Sequence, residues 1–233
     1  MRRALAGGVR TGRLFALLLV IGGGVLLVGF LEGPQYRVRT VVVNGNRLTF
    51  AESIVRESGV LGQSVFRVDT QAVADRLARH PAIAAATVRA LYPDSVVIDL
   101  VEREPASVWV TGGTSWLVDG EGRVIGDGEA AVLPHVQVGG DLALQPGGRV
   151  PRTVARALPV LTQRFADRLI QFEYRPADGL VVVFQGGERI VFGDAERLPE
   201  QLAVIEALVA RGMSWFHLDL RDPDRPVLWQ VGS

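Results

Sequence analysis

The hydrophobic pattern opens with an uninterrupted apolar run from Leu14 to Leu31, and the first acidic residue is Glu32. At about 1.5 Å of rise per residue, a helix of this length spans about 27 Å, which matches the hydrocarbon core of a bilayer. Arginines precede the run, and such residues stay on the cytoplasmic side. They are Arg2, Arg3, Arg10 and Arg13. The pattern predicts a cytoplasmic tail at 1–13, a single transmembrane helix at 14–31, and everything after it outside the cytoplasm.

Two other interpretations of this run remain open. A cleaved signal peptide has the same charge order, but its apolar region is usually shorter, and Phe30 to Pro34 contains no small-x-small cleavage site. A buried helix of a globular domain is disfavoured because Gly22, Gly23 and Gly24 would weaken it and no polar face would orient it.

The next seventy residues alternate between strand and helix patterns. Arg37 to Val43 reads as a strand that ends in a turn at Asn44-Gly45-Asn46. Thr49, with Glu52 three residues later, has the capping-box spacing and predicts the start of a helix that ends at Gly59. Thr70 is predicted to cap a second helix.

Two more strands complete this part of the chain. They are predicted at Thr87–Leu91 and Ser95–Val101, on either side of the turn Tyr92-Pro93-Asp94. The predicted order is therefore β-α-α-β-β. The last strand runs into Glu102, Arg103 and Glu104 before Pro105, and we expect these charges and the proline to blunt that strand end against indiscriminate pairing.

The second half of the chain predicts a mainly antiparallel β region with flanking helices. Its strands are short, and glycine-containing turns separate them. Strands are predicted from Ser107 to Ile125, at Ile170–Tyr174, Leu180–Phe184, Arg189–Phe192, Trp215–Leu220 and Val227–Trp229, and helices at Thr153–Phe165 and Glu196–Ala210. The segments Leu133 to His135 and Gly139 to Pro151 read as surface loop.

The amino-acid composition excludes several kinds of functional site. The formal net charge is +0, so no cationic field favours nucleic acid. The chain has neither cysteine nor lysine, which excludes thiolate sites, Schiff bases and phosphate-binding lysines. His80, His135 and His217 lie far apart with no partner at metal-ligand spacing. We expect no catalytic residue, cofactor, metal site or small-molecule substrate.

Several of these segments resemble the FtsQ/DivIB family of bacterial division proteins. The resemblance rests on the β-α-α-β-β order, on the turn at Tyr92-Pro93-Asp94, and on the run from Leu100 through Glu102 and Pro105 to Trp109. A hairpin from Trp116 to Gly122 and the stretch Asp219-Leu220-Arg221 near the carboxyl end continue it. The segments follow the family's order over nearly the whole chain.

The resemblance implies a POTRA domain, here at 36–104, followed by an FtsQ-type β domain at 105–231. It also implies a function. The protein would be a non-catalytic, single-pass scaffold of the divisome, in the cell membrane at the division septum, and would link FtsB-like and FtsL-like proteins there. Trp109 is expected to pack the two domains together.

Partner-binding residues are predicted in two places. The resemblance places recruitment contacts at the end of the POTRA domain, which implicates Glu102, and we add its neighbours Arg103 and Glu104. The second place is the carboxyl end, where a last strand could lie at a sheet edge and accept a strand from another protein. Its predicted binding residues are Asp219, Leu220, Arg221, Arg225, Val227, Leu228 and Trp229.

Two rival functions stay open at this point. A POTRA protein of the secretion or outer-membrane assembly type would bind client polypeptides through the same edge-strand physics, but the chain has one such unit and no barrel pattern. An exported cell-wall enzyme or ligand-binding domain would need a polar cluster in a closed pocket.

Overall fold

A computed structural model describes residues 5–140 and 142–229. The chain forms two compact units. The first comprises the residues up to Arg79 together with Ile83–Glu102, and the second comprises His80–Ala82 and the residues from Arg103 onward. Part of the predicted cytoplasmic tail, residues 1–4, and the predicted end of the β domain at Val231 lie outside the described residues.

The first unit begins with helix α1, Leu5–Leu31. Within the described part of the chain, no helix has the length and apolarity needed to cross a membrane, so the predicted span is not confirmed. A short 3₁₀ helix, Pro34–Tyr36, follows α1.

The rest of the first unit is a three-stranded sheet with two helices, in the predicted β-α-α-β-β order. The elements are β1 (Thr40–Asn44), α2 (Ala51–Ser58), α3 (Thr70–Leu77), β2 (Ile83–Leu91) and β3 (Ser95–Glu102). Strand β3 lies in the middle, parallel to β1 and antiparallel to β2. Its alternating Val96, Ile98 and Leu100 are buried against α2 and α3, as a half-buried strand requires.

The position of β3 corrects one prediction. Because β3 is a central strand with a neighbour on each side, its charged end does not protect an edge. Pro105 does not end a sheet either, since it begins the first strand of the second unit. Proline is tolerated there as the first residue of a strand.

Both predicted helix caps were also wrong. The N-cap residue of α2 is Phe50, whose side chain makes no capping hydrogen bond, and the hydroxyl of Thr49 donates to Glu102 instead. Helix α3 is capped by Asp69, whose carboxylate accepts a hydrogen bond from the N–H of Ala72 at 3.0 Å. Thr70 is the first residue inside that helix.

The second unit is built on a nine-stranded sheet with two helices. Its elements are β4 (Pro105–Thr111), β5 (Thr114–Asp119), β6 (Val124–Asp127), β7 (His135–Val138), α4 (Arg152–Arg164), β8 (Leu169–Arg175), β9 (Gly179–Phe184), β10 (Arg189–Gly193), α5 (Leu198–Ala210), β11 (His217–Asp219) and β12 (Val227–Trp229). The strand order is β12-β11-β10-β9-β8-β7-β4-β5-β6.

Most neighbouring strands in this sheet are antiparallel, as predicted, but three pairs are parallel. Strand β7 is parallel to both β4 and β8, and β11 is parallel to β10. Strand β7 overlaps the predicted surface loop at Leu133 to His135 only at His135, and its other three residues were not predicted as a strand. The buried Val136 is the side chain that ties this short strand to the core.

The core of the second unit collects apolar side chains from the sheet and from both helices. Leu158 and Leu161 of α4 and Ile205 of α5 are buried in it. Trp109 is also fully buried there, where its indole N–H donates to the hydroxyl of Ser107 at 3.0 Å and its ring packs on Tyr174. Trp109 is therefore a core residue of the β domain.

Two glycines allow a close approach between strands β9 and β10. Gly179 has φ +74°, and a Cβ there would lie 2.3 Å from the carbonyl carbon of Gly193. No other residue type fits this position without moving the backbone.

Candidate partner-binding surfaces

Strand β12 is the last strand of the nine-stranded sheet. It pairs antiparallel with β11, in the register His217–Trp229, Leu218–Leu228 and Asp219–Val227. Among the described residues β12 has no second strand neighbour. The edge position that the sequence left undecided is thus resolved: one side of β12 is open to another strand.

The backbone hydrogen bonds indicate which groups point to this open side. The carbonyl of Trp229 accepts a hydrogen bond from the N–H of Phe216 at 2.9 Å, so the polar groups of Trp229 face β11. Because these groups alternate in direction along a strand, the N–H and C=O of Leu228 face the open edge.

The side chains of β12 divide between the two faces of the sheet. Leu228 packs against the core of the second unit. Val227 and Trp229 are exposed by 48% and 51%, and Trp229 makes an edge-to-face contact with the ring of His217 at 4.7 Å. The edge therefore presents a half-exposed aromatic ring beside unpaired backbone groups.

Arg221 and Asp219 form an ion pair just past the end of β11. The shortest distance, from Nη2 of Arg221 to Oδ2 of Asp219, is 2.6 Å, and the carboxylate also accepts from Nε. Burial raises the pKa of Asp219, but the hydrogen bonds and charge of Arg221 outweigh it and the pKa is lowered. The pairing raises the pKa of Arg221. Half of the Arg221 side chain remains exposed.

Two other predicted residues near this end have different surroundings. Leu220 is fully buried, so its side chain belongs to the core rather than to the exposed surface. Arg225 is exposed in the turn before β12, where its backbone N–H donates to the carbonyl of Asp222 at 3.1 Å. Five of the predicted residues thus lie at or near one sheet edge with an exposed side chain or outward backbone groups, whereas Asp219 is committed to Arg221 and to β12: Arg221, Arg225, Val227, Leu228 and Trp229.

Glu102 is committed to contacts within its own unit. Its carboxylate accepts hydrogen bonds from the backbone N–H groups of Arg47, Leu48 and Thr49 at 2.7, 2.6 and 2.9 Å, and from the hydroxyl of Thr49 at 2.5 Å. Desolvation raises the pKa of Glu102, but these four hydrogen bonds outweigh it and lower the pKa. The side chain holds the loop between β1 and α2 in place.

Arg103 is the neighbour of Glu102 in the chain but belongs to the second unit, and its contacts lie within that unit. Its guanidinium pairs with the buried carboxylate of Asp119 at 2.9 Å, and its backbone N–H donates to the carbonyl of Ala82. Asp119 also accepts from the N–H groups of Glu121 and Arg123, which closes the turn between β5 and β6. Glu102 and Arg103 are therefore each committed to contacts within their own unit.

Three of these contacts leave no signal in the amino-acid pattern. The loop at 47–49 that Glu102 binds, the Asp119 partner of Arg103 and the His217 partner of Trp229 were not predicted. Glu102 and Thr49 are 53 residues apart in the chain, and only the register of β1 beside β3 brings them together. Among the described residues, no group of histidine and acidic side chains could hold a metal ion.

Each of the two units matches a known protein family. The family profile of the FtsQ-type POTRA domain matches residues 36–103, and that of the FtsQ/DivIB C-terminal domain matches residues 107–221. The cell division protein FtsQ of Chloroflexus aurantiacus is 32% identical over 230 residues, which cover 94% of this chain and 84% of that protein. The chain belongs to the FtsQ/DivIB family of cell division proteins.

Two other members of the FtsQ/DivIB family are also similar over nearly the whole of this chain. The FtsQ protein of Chloroflexus aggregans is 27% identical over 230 residues, with 94% of this chain and 84% of the relative covered. The FtsQ protein of Mycobacteroides abscessus is 26% identical over 231 residues, with 97% and 72% covered. The FtsQ/DivIB C-terminal profile ends at residue 221, before β12 begins.

Proposed function

We propose that this FtsQ/DivIB protein is a non-catalytic scaffold of the divisome, which recruits an FtsB-like protein, and through it an FtsL-like protein, at the septum. The observation that carries the proposal is the open edge of β12. An extended segment of the partner would add to this edge as a tenth strand, with its backbone bonded to Leu228. Trp229 and Val227 would contact its side chains, and Arg221 and Arg225 would pair with its carboxylates.

Strand addition can be tested at the backbone itself. Leu228→Pro removes the N–H that faces the open edge, and proline is tolerated at such edge positions. Leu228→Ala is the matched control, because it removes more of the side chain but keeps the N–H. We expect the proline variant to bind a purified FtsB-like protein about fivefold more weakly than the alanine variant, which corresponds to about 1 kcal/mol for one backbone hydrogen bond. Equal affinities for the two variants would refute strand addition.

The exposed side chains need a separate test. Val227→Lys with Trp229→Glu should abolish capture of the FtsB-like protein, whereas thermal unfolding of the variant should stay close to that of the unchanged protein, since both side chains are about half exposed. A large fall in melting temperature would mean that these residues act mainly in folding.

The proposal includes a membrane anchor with the amino terminus in the cytoplasm, at the apolar run 14–31, and extracytoplasmic domains at 36–104 and 105–231. The large apolar side chains of α1 at residues 15–30 support it because they are exposed, from 53% at Ile21 to 75% at Leu26. Membrane fractionation should recover the full-length chain. A processed amino terminus near Gly33 would overturn the anchor.

Glu102 and Arg103 have an indirect role in the proposed function, because each stabilises a segment of the chain. Glu102 positions the loop at 47–49 of the POTRA domain, and recruitment through that domain would depend on this loop; Arg103 fixes the turn at Asp119 in the β domain. Glu102→Lys should weaken septal recruitment while the protein stays in the membrane. Normal septal localisation of this variant would remove Glu102 from the proposed function.

A further inference from the structure

Four aromatic rings form a continuous row in the first unit. Phe30, near the end of α1, contacts Tyr36 with a distance of 5.1 Å between ring centroids. Tyr36 contacts Phe66 at 5.0 Å, and Phe66 contacts Tyr92 at 4.9 Å. The row therefore leads from the helix onto the turn between β2 and β3.

Polar contacts fix the end of α1 to the same place. The hydroxyl of Ser64 donates to the carbonyl of Leu31 at 2.9 Å, and Glu32 pairs with Arg67 at 2.6 Å. Ser64 is nearly fully buried, so this hydrogen bond is shielded from water. The rings and these two contacts together give α1 a defined attachment to the sheet domain.

Of the aromatic row, Tyr36 packs against the hydrophobic core of the first unit, and the other three rings are exposed. Phe30 is exposed by 55%, Phe66 by 39% and Tyr92 by 66%, and Tyr36 is partly buried. Rings exposed to this extent gain little hydrophobic stabilisation from the fold. A continuous exposed apolar surface of this kind is typical of a site that contacts a membrane or another protein.

We propose that the aromatic row lies in the headgroup region of the membrane and holds the POTRA domain against the bilayer surface. Phe30 belongs both to the row and to the exposed apolar surface of α1. A bilayer that covers α1 therefore also contacts the adjoining aromatic row. Tyrosine suits this layer because one end of its side chain is apolar and the other can stay hydrated. This inference rests on the proposed membrane anchor.

The fold gives the domain two distinguishable ends. Tyr92 precedes the first residue of β3, Ser95, whereas Glu102 at the other end of β3 binds the loop that leads to Phe50. Eight residues of strand separate these ends by about 23 Å. Phe50 is itself exposed by 82%, so it is an aromatic control of the same type at the far end of the domain.

Because the chain has no cysteine, each position can be labelled alone. An environment-sensitive fluorophore would be attached to Tyr92→Cys, Phe50→Cys or Val25→Cys in the full-length protein, reconstituted in phosphatidylcholine–phosphatidylglycerol nanodiscs. A lipid that carries a nitroxide near its headgroup then quenches only fluorophores close to the membrane surface. Leu91→Cys provides a second site beside Tyr92 that leaves all four rings in place.

We expect quenching at Tyr92 and Leu91 to be several-fold greater than at Phe50, with Val25 shielded from aqueous quenchers. Equal, weak quenching at Tyr92, Leu91 and Phe50, with Val25 still shielded, would overturn the inference and leave the anchor standing; a protein partner would then be the better explanation for the row. A Val25 label open to aqueous quenchers would overturn the anchor, and the inference with it.

Discussion

The carboxylate of Glu102 offers the sharpest test of how the POTRA domain is held together. Removing it in Glu102→Ala leaves three backbone N–H groups and one hydroxyl without their acceptor. A hydrogen bond to a charged group contributes about 1.5–3 kcal/mol. The site is only partly buried and water can replace some of these bonds, so we expect a total loss of about 2–4 kcal/mol rather than the sum.

Hydrogen exchange measures this loss where it occurs. The amides of Arg47, Leu48 and Thr49 are the donors, and a local loss of about 2 kcal/mol should accelerate their exchange about 30-fold. All four tryptophans lie at or beyond residue 109, so tryptophan fluorescence follows the second unit as an internal control and should not change.

Glu104→Gln is the matched substitution. Glu104 is exposed two residues further along the chain and makes no side-chain hydrogen bond or ion pair within the described residues. If Glu102→Ala and Glu104→Gln change exchange at residues 47–49 equally, the carboxylate does not hold the loop, and the structural explanation for Glu102 fails.

The same site predicts a pH dependence. The folded-state pKa of Glu102 lies below its ordinary value of 4.5, so folding favours the charged form. Its stabilisation is therefore complete above pH 4.5 and is lost as the pH falls through the lower folded-state pKa. In the unchanged protein, protection of the amides at residues 47–49 from hydrogen exchange should fall as the pH falls through this range, after correction for the intrinsic pH dependence of exchange. In Glu102→Gln the protection should no longer depend on pH in this way.

Three further predictions concern the second unit, each followed by denaturant unfolding. Asp119→Asn should cost about 2–3 kcal/mol because it disrupts a buried ion pair, whereas the exposed Asp127→Asn should cost less than about 0.5 kcal/mol. Gln201 is 2% exposed, and its amide donates to the carbonyls of Phe192 and Leu220. Gln201→Glu should therefore destabilise the protein more at pH 8 than at pH 5, because a charged carboxylate is costly to bury. Equal losses of stability at the two pH values would contradict this burial. Gly179→Ala should cost about 3 kcal/mol or more, against about 1 kcal/mol for Gly112→Ala, which has a positive φ but open space around it.

The sequence predicted the elements that depend on local pattern. Strand β3 begins at Ser95 as predicted, β12 has the predicted bounds, and helices α2 to α5 were placed within a few residues of their ends, whereas α1 begins nine residues before the predicted span. Strand β7 was missed because it is only four residues long, and it is a strand only through its parallel neighbours. Such pairing is set by the tertiary fold, which local propensity does not report.

The contacts of the candidate surfaces were harder to predict for the same reason. Thr49 and Glu52 have the spacing of a capping box, but the hydroxyl that would cap α2 donates to Glu102 instead. A carboxylate that can accept four hydrogen bonds competes successfully for a hydroxyl that could otherwise satisfy one amide. The family resemblance predicted Glu102 as a partner-binding residue, and that stays a prediction, whereas its hydrogen bonds to the loop follow only from the packed β1–β3 pair.

The length of the open edge limits what backbone pairing can contribute to partner binding. Among the described residues, strand β12 comprises three, and of these only Leu228 directs its N–H and C=O toward the edge. Two backbone hydrogen bonds contribute about 2 kcal/mol, far less than the 8 kcal/mol of a micromolar complex. Most of the affinity must come from side chains, and Trp229 and Arg221 are of the types that dominate interfaces. A three-residue edge also pairs poorly with unrelated strands, so the backbone would set the register and the side chains would select the partner.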